Sequence, residues 1–486
     1  MIVPANAVNQ VLAVLLKGAG YTSMTHAAEA INDFGRQQYG LDLSYDHRRV
    51  ARWLQGGGCD RPDLVAKALS SAWGTDVPPS LIWPDTRNGA RQLPAHRQPF
   101  VAIRTLDELA TFVRRDMLCD GSTLPSLAAV TDGSELVDAI SRWCDADTVR
   151  LPPSTSKGSE RVGVEAVEGI EHVTARLIAA NAEFGARVSR DAAVGHLKSA
   201  VDLLNTASYD DATGNRLLAV VATLAAVVGR MCHDSGLEGP AQQYATYGLQ
   251  AARESTHEHG PFSSVCILAD LARQLRSLDQ PHAALRLIDL AVSVLPDAHA
   301  HGKRVKAMLW NLKAQALTAT GTTGLREVRG MISLAADLRA ESRAETQSPP
   351  PPGTLPHPTD ADLHRETADA YLHLASAFPA QAPDLAKRAE IEAVKALAIS
   401  DPTLRRARVY SQISLAWARF LLGDTEQARV DAEEAVRQTA AVPDSARLRA
   451  RLWEMLASDP TGQSGAGALW VAGDRTLVPT CRMPRR

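Results

Sequence analysis

The chain has 486 residues, enough for two or three domains, and its 45% hydrophobic and 22% charged residues are ordinary for a globular protein. Its formal net charge of −3 excludes a protein that binds nucleic acid through its overall charge, so any contact with DNA must come from a local surface. Only 5% of the residues are aromatic, and alanine is abundant. This composition predicts an all-α protein, because closely packed helices tolerate it better than β-sandwiches do.

The cysteine pattern and the apolar stretches bear on the compartment. The six cysteines are scattered along the chain and none forms a CxxC pair: Cys59, Cys119, Cys144, Cys232, Cys266 and Cys481. This pattern argues against a zinc site and against a disulfide framework. The N-terminus lacks a signal-peptide pattern. The most apolar stretch, residues 217–229, is shorter than the roughly 20 residues that a helix needs to cross a bilayer. We therefore expect a cytoplasmic protein with no metal and no cofactor.

Residues 1–83 are predicted to form a domain of four or five short helices. A first helix ends at Gly18, Thr25 can cap a second that ends near Gly40, and Pro62 opens a fourth. A tight turn before the third helix would complete a repressor-type helix-turn-helix domain. The second helix is longer than is usual for such a domain.

The third helix is the candidate for contacting DNA. It lies within residues 41–54, LDLSYDHRRVARWL, where Ser44 is placed to cap it and three glycines follow it. Its apolar side carries Val50, Trp53 and Leu54, spaced at i, i+3 and i+4. A short helix with arginines turned outward fits a DNA major groove. The alternative is an ordinary amphipathic helix with a solvated basic face.

Helical geometry assigns five side chains of this helix to faces away from the apolar side, and these are the predicted DNA-binding residues: Ser44, Tyr45, Arg48, Arg49 and Arg52. Arg48 and Arg52 lie one turn apart, where both can read guanine, whereas Arg49 is turned toward phosphate. The two residues at the helix start can contact base or phosphate. His47 is expected to lean on the core.

Residues 84–161 are predicted to be a linker with short helices at 106–118 and 134–143, and residues 459–486 a flexible tail. From 162 to 458 helix follows helix. The first two are expected at 164–184 and 192–204, and the pairs that follow start roughly 45 residues apart: 217–232 with 241–253, 262–278 with 281–295, 305–318 with 325–338, 363–378 with 382–399, and 406–422 with 425–439.

These pairs predict stacked helical hairpins, because a single hairpin cannot bury its own apolar face. Equivalent small residues recur in two of the second helices, at Ala284 and Ala291 and again at Ala428 and Ala435. A last helix over 446–456 is expected to cap the stack. The proline run in QSPPPPGTLPHP, residues 347–358, is expected to form an exposed, extended loop between hairpins.

The segment YTSMTHAAEAINDFGRQQYGLDLSYDHRRVARWL, joined to helical repeats, resembles a group of actinobacterial helix-turn-helix regulators with tetratricopeptide-like repeats. The resemblance is specific over roughly the first 83 residues and architectural beyond them, since the repeats exceed the roughly 34 residues of a tetratricopeptide. It implies a cytoplasmic repressor of sporulation and secondary metabolism, and it supplies no base-reading residues.

The leading functional hypothesis is therefore a transcriptional regulator. Its N-terminal domain would bind double-stranded DNA, and its repeats would bind a protein, peptide or small molecule, or form a homodimer. The alternative is an adaptor that does not bind DNA, because residues 1–84 carry seven Lys or Arg and seven Asp or Glu. An enzyme is not expected, since no GxSxG, HExxH or GxxxxGK[ST] motif is present.

Overall fold

The computed structural model describes residues 9, 12, 15, 16, 21, 23–39, 41–73, 79–83, 106–119, 124–145, 161–296, 301–342, 351–439, 442, 445–456 and 458. Within these ranges the chain is all-α, as the composition predicts, and its β-pairing is limited to an isolated bridge between Arg161 and Ser208. The described residues divide into two compact units, one ending at residue 83 and one beginning at residue 106. The expected tail, residues 459–486, lies outside the described residues.

The first unit, called the N-terminal unit, has four described helices: α1 (Met24–Tyr39), α2 (His47–Leu54), α3 (Pro62–Trp73) and α4 (Pro79–Ile82). Helix α1 packs against both α2 and α3. Trp53 is the largest fully buried side chain of the core. Leu12, Leu15 and Leu16, from the helix expected before Gly18, are buried in the same core, whereas most of that segment lies outside the described residues.

The connection between α1 and α2 differs from the expected tight turn. A helix-turn-helix joins its helices through three or four residues, whereas six described non-helical residues, 41–46, lie between α1 and α2. The side chain of Asn32 on α1 holds this segment in place: its amide donates to the Tyr45 carbonyl (2.9 Å), and its Oδ1 accepts from the Tyr45 N–H (3.0 Å). A Cβ at Gly35 would overlap Leu43, so the glycine allows the segment to approach α1.

We expect Asn32→Ala to destabilise the N-terminal unit by about 2 kcal/mol or more. The substitution leaves the part-buried N–H and C=O groups of Tyr45 without partners, at a cost of about 1–3 kcal/mol each. Hydrogen exchange of peptides covering α1 and α2 in the full chain measures this loss of local stability. Glu29→Ala, at an exposed position of α1, is the control. Equal protection in the two variants would contradict the role given to Asn32.

The second unit, called the C-terminal unit, contains the other described helices: α5 (Leu106–Leu118), α6 (Gly133–Asp145), α7 (Val164–Phe184), α8 (Ala186–Thr206), α9 (Asp211–Asp234), α10 (Glu238–Glu254), α11 (Gly260–Ser277), α12 (Pro281–Val294), α13 (Gly302–Thr320), α14 (Leu325–Glu341), α15 (Asp360–Ala377), α16 (Ala382–Ile399), α17 (Arg405–Leu422), α18 (Thr425–Thr439) and α19 (Ala446–Leu456). Helices α8 and α9 begin about six residues earlier than expected, and the others agree with the expected bounds more closely.

Helices of the C-terminal unit pack in chain order. From α7 to α19 each helix contacts the next one, and α9, α11, α13, α15 and α17 also contact one another in that sequence. Helix α9 is long and apolar enough to cross a membrane, but 89% of its apolar window is buried against the rest of the protein. Burial of this extent is typical of a core helix.

The segment expected to be a linker contains part of this core. Leu109 and Phe112 of α5 and Leu136 of α6 are buried in the same cluster as α8 to α12. A side chain from much later in the chain also bonds the start of α6, because Gln280, just before α12, accepts from the N–H of Gly133 (2.6 Å). The described part of residues 84–161 therefore belongs to the C-terminal unit, and distant contacts fix it there.

Where the proline run is described it agrees with the exposed loop that we expected, since Pro351 and Pro352 are exposed, but the residues after it differ. Residues 343–350 lie outside the described residues. In the part described, Leu355 is fully buried in the core and Gly353 approaches Glu171 of α7 so closely that a Cβ would overlap it. The ring of His357 lies 3.8 Å from that of His301 and 4.6 Å from that of Phe262, centroid to centroid. The segment after the prolines thus packs against α7 and α11.

A buried ion pair joins α5 to α8. Asp116 of α5 contacts Arg190 of α8 at 2.5 Å, and their side chains are 1% and 6% exposed. The hydroxyl of Tyr244 on α10 donates to the same carboxylate oxygen at 2.7 Å. Because both charges are withdrawn from water, each depends on the other for compensation.

Candidate functional site

Helix α2 begins two residues later than the sequence suggested. Its N-cap is Asp46, in extended backbone (φ −122°, ψ 174°), and the Asp46 carboxylate accepts from the N–H of Arg49 at 3.0 Å. Ser44, expected to cap the helix, is exposed and lies before it. Aspartate and serine are comparable N-caps, so the pattern of residue types could not decide between them.

Two glycines end α2. The N–H of Gly56, at φ +85°, bonds the carbonyl of Trp53 (3.1 Å), and the N–H of Gly57 bonds the carbonyl of Arg52 (2.8 Å). This pair of bonds is a Schellman motif, which needs a left-handed residue and therefore favours glycine at position 56. The helix is consequently kept short, with Arg52 in its last turn.

The apolar side of α2 is confirmed. Val50, Trp53 and Leu54 are fully buried, and the Trp53 ring packs edge-on against Tyr45 and Trp83, with centroids 5.2 and 5.9 Å away. Burial of this face fixes the helix about its own axis. The side chains on its other faces therefore have defined directions.

Tyr45 does not belong to the outward face that we assigned to it. It is 7% exposed, lies in the core against Trp53, and its hydroxyl is buried. This burial raises the pKa of the Tyr45 phenol to about 12. The assignment failed because residue 45 precedes the helix, so helical spacing does not set the direction of its side chain.

The other assigned residues remain near the surface. Arg48 and Arg52 are exposed one turn apart, and no ion pair involves either of them among the described residues. Arg49 is half-buried: it pairs with Asp60 at 2.9 Å, and its guanidinium lies 5.2 Å from the centre of the Tyr45 ring. His47, which we expected to face the core, is exposed. The exposed face of α2 thus carries two guanidinium groups with a histidine beside them.

The C-terminal unit contains a second concentration of charge, which we call the central charge network. Its members come from α9, α11, α15, α17 and α19: Arg230, Asp234, Asp270, Arg273, Arg276, Arg365, Glu366, Asp369, His373, Arg406, Arg447 and Arg451. A small open cavity adjoins it, lined by residues that include Arg230, His233, Asp270, Arg273, Gln274 and Arg447.

Two aspartates of the network each hold two arginines. Asp270 accepts from Arg230 (2.7 Å) and from Arg273 (3.1 Å). Asp234, 1% exposed at its side chain, accepts from Arg447 of α19 at 2.9 Å and from Arg406. Burial alone would raise the pKa of Asp234, but the two arginines together lower it below its usual value. The last helix is thereby joined to α9, more than 200 residues earlier in the chain.

Neither unit presents a metal centre in its described part, since no group of three His, Cys, Asp or Glu side chains is placed to hold an ion in the described ranges. The described residues thus form an all-α protein, in which α2 carries an exposed cationic face and the C-terminal unit a largely buried charge network.

Comparison with known proteins adds one relationship. Residues 12–82 match the family described as SP15 N-terminal domain, and this stretch includes α1, α2 and α3 and extends to the end of α4. No curated protein and no solved structure matches the chain. The N-terminal unit is therefore similar to a family of domains, and the match does not extend to the C-terminal unit.

Proposed function

We propose that the protein is a cytoplasmic transcriptional regulator whose N-terminal unit is a helix-turn-helix-like DNA-binding domain. The exposure of Arg48 and Arg52 one turn apart, on a short helix fixed by its buried side, is the observation that carries the proposal. Arginine pairs of this kind read guanine through O6 and N7 in the major groove. Ser44 and Arg49 lie at the start of the same surface and supply contacts to the sugar-phosphate backbone.

The C-terminal unit is proposed to be a stack of tetratricopeptide-like hairpins that binds a protein, peptide or small molecule. The contacts between alternate helices, from α9 to α17, support a continuous stack of this kind. Ligand binding would alter the spacing of two N-terminal units in a homodimer, and so their fit to two half-sites. The resemblance to actinobacterial regulators makes repression of differentiation and secondary metabolism the proposed role.

An adaptor that acts only through proteins is the second candidate. The balanced charge of residues 1–84 favours it, as does the connection between α1 and α2, which is longer than a helix-turn-helix requires. On α2 the exposed cations are the side chains of Arg48 and Arg52. The electrostatic, sequence-independent part of DNA binding would accordingly be weak.

Footprinting of the full-length protein on fragments of its own chromosome tests the first proposal against the second. At low salt we expect protection of discrete sequences, with affinity falling only modestly as salt is raised, because few phosphates are neutralised. A pull-down of protein partners from the same cells serves as the comparison. Uniform absence of protection at low salt, with specific partners captured, would favour the adaptor.

A further inference from the structure

Arg276 of α11 differs from the other arginines of the central charge network. Those arginines form ion pairs with carboxylates of the network. The pairs are Asp270 with Arg230 and Arg273, Glu366 with Arg365, and Asp234 with Arg406 and Arg447. Arg276, in contrast, forms no ion pair with a carboxylate of the described residues, and its Nε is buried without a hydrogen-bond partner. Burial lowers the pKa of the Arg276 guanidinium from its usual value.

The polar contact that Arg276 does make is shared. Its Nη1 lies 3.1 Å from Nε2 of His373 on α15, and Nη1 of Arg451 on α19 lies 3.1 Å from the same nitrogen. An unprotonated imidazole nitrogen offers one lone pair, so it cannot fully satisfy two guanidinium groups. Burial, with the charges of Arg451 and Arg276, lowers the pKa of His373 well below its usual value. Two cations therefore converge on one neutral acceptor.

Arg451, unlike Arg276, also pairs with carboxylates. Its Nη2 donates to Asp369 at 2.5 Å, its Nη1 donates to Glu454 at 2.8 Å, and its guanidinium lies 4.5 Å from the centre of the Trp417 ring. Helix α19, which carries Arg451, is anchored by the fully buried side chains of Leu448, Leu452 and Met455. The convergence with Arg276 is thus built into the packing of three helices.

We propose that Arg276, His373 and Arg451 form a binding site for an anionic group, a phosphate or a carboxylate carried by a small molecule. An anion between the two guanidiniums would give the Nε–H of Arg276 the acceptor that it lacks and would compensate the unpaired buried charge. The planar fork of arginine matches the oxygens of both groups. This inference rests on the proposed ligand binding by the C-terminal unit and names the chemistry of that ligand.

Such an anion would also act on the position of α19. It would bridge Arg451 on α19 to Arg276 on α11, which at present share only the imidazole of His373. The C-terminal helix would therefore be held more tightly against the unit when the ligand is present. This supplies a physical route from ligand binding to the shape of the C-terminal unit.

Thermal unfolding and calorimetric titration of the full-length protein test the site. The probes are inorganic phosphate in one arm and acetate in the other, each compared with chloride at equal ionic strength. We expect a saturable rise in Tm with at least one probe, whereas the general effect of salts on burial does not saturate. The probe with the stronger effect identifies which of the two groups the site takes.

Arg276→Met is the decisive variant, with Arg286→Met on α12 as the matched control, since Arg286 is 51% exposed and pairs with Asp138 at the surface. We expect Arg276→Met to lose the saturable effect and, in chloride alone, to unfold at a temperature no lower than wild type. Arg286→Met should keep the effect. If Arg276→Met fails to fold, Arg276→Lys retains the charge but not the fork and should bind the probe at least tenfold more weakly.

The proposal is overturned if neither probe gives a saturable effect on the wild-type protein, or if Arg276→Met or a folded Arg276→Lys binds the probe as the wild type does. Neither measurement involves DNA. A protein that binds the anion but protects no DNA would contradict the regulator and retain the anion site. A protein that protects DNA without binding either probe would support the regulator and contradict the anion site.

Discussion

The double variant Arg48→Ala/Arg52→Ala is expected to bind its DNA site about 30- to 10⁴-fold more weakly than the wild-type protein. Each bidentate contact to guanine contributes about 1–3 kcal/mol, and about 1.4 kcal/mol corresponds to a factor of ten in affinity. Both side chains are exposed on the surface of α2, so truncation leaves the core contacts of Val50 and Trp53 intact. Fluorescence anisotropy with a labelled fragment found by footprinting measures the change.

Two control variants separate this surface from general effects on the N-terminal unit. Arg36→Ala removes an exposed arginine of α1 that pairs with Asp33 at 3.0 Å, and it should alter affinity little. Tyr45→Phe removes only a buried hydroxyl, so it should also bind normally. Equal binding by the Arg48→Ala/Arg52→Ala variant and the wild type would remove this face of α2 from the interface, even if the protein does bind DNA.

The second large effect concerns the stability of the C-terminal unit. Asp116→Ala is expected to lower its free energy of unfolding by about 3–5 kcal/mol, because removing one partner of a buried ion pair leaves the other charge uncompensated. Arg190 would keep only the exposed Asp191 at 3.1 Å and the sulfur of Cys232 at 3.4 Å. Tyr244 would also lose the acceptor of its hydroxyl. Urea unfolding followed by circular dichroism, with hydrogen exchange of α5 and α8, measures the loss.

Asp191→Ala is the matched control for this experiment. Asp191 contacts the same guanidinium of Arg190, but its side chain is 92% exposed. Surface ion pairs contribute about 0–1 kcal/mol, so this variant should unfold close to the wild type. A cost for Asp116→Ala as small as that for Asp191→Ala would show that the buried pair is not the link between α5 and α8.

The periodicity of apolar residues in the sequence predicted the positions of the helices well. It predicted less well which side chains near a helix end are buried. The spacing of Val50, Trp53 and Leu54 predicted the buried side of α2, because one face of a helix repeats every 3.6 residues. The direction of Tyr45 depended on whether α2 starts at 45 or at 47, and both Ser44 and Asp46 are acceptable caps. An error of two residues at a helix end thus moved one side chain from the surface to the core.

No local sequence pattern predicted the contacts between residues that lie far apart in the chain. The polar composition around α5 and α6 suggested a linker, whereas Gln280 and the core of α8 to α12 hold that segment in place. The Arg276 cluster joins residues 276, 373 and 451, from three separate helices. No spacing rule within one element can bring these side chains together, so only the folded arrangement reveals them.

The pairing of Asp234 has a consequence for synthesis of the chain on the ribosome. Its carboxylate lies in α9, near the middle of the polypeptide, yet its arginine partners are residues 406 and 447. A nascent chain emerges from its N-terminal end, so this charge must stay hydrated until both arginines have been translated, about 170 and 210 residues later. Vectorial folding of the C-terminal unit can therefore proceed helix by helix, but its closure waits for the synthesis of α19.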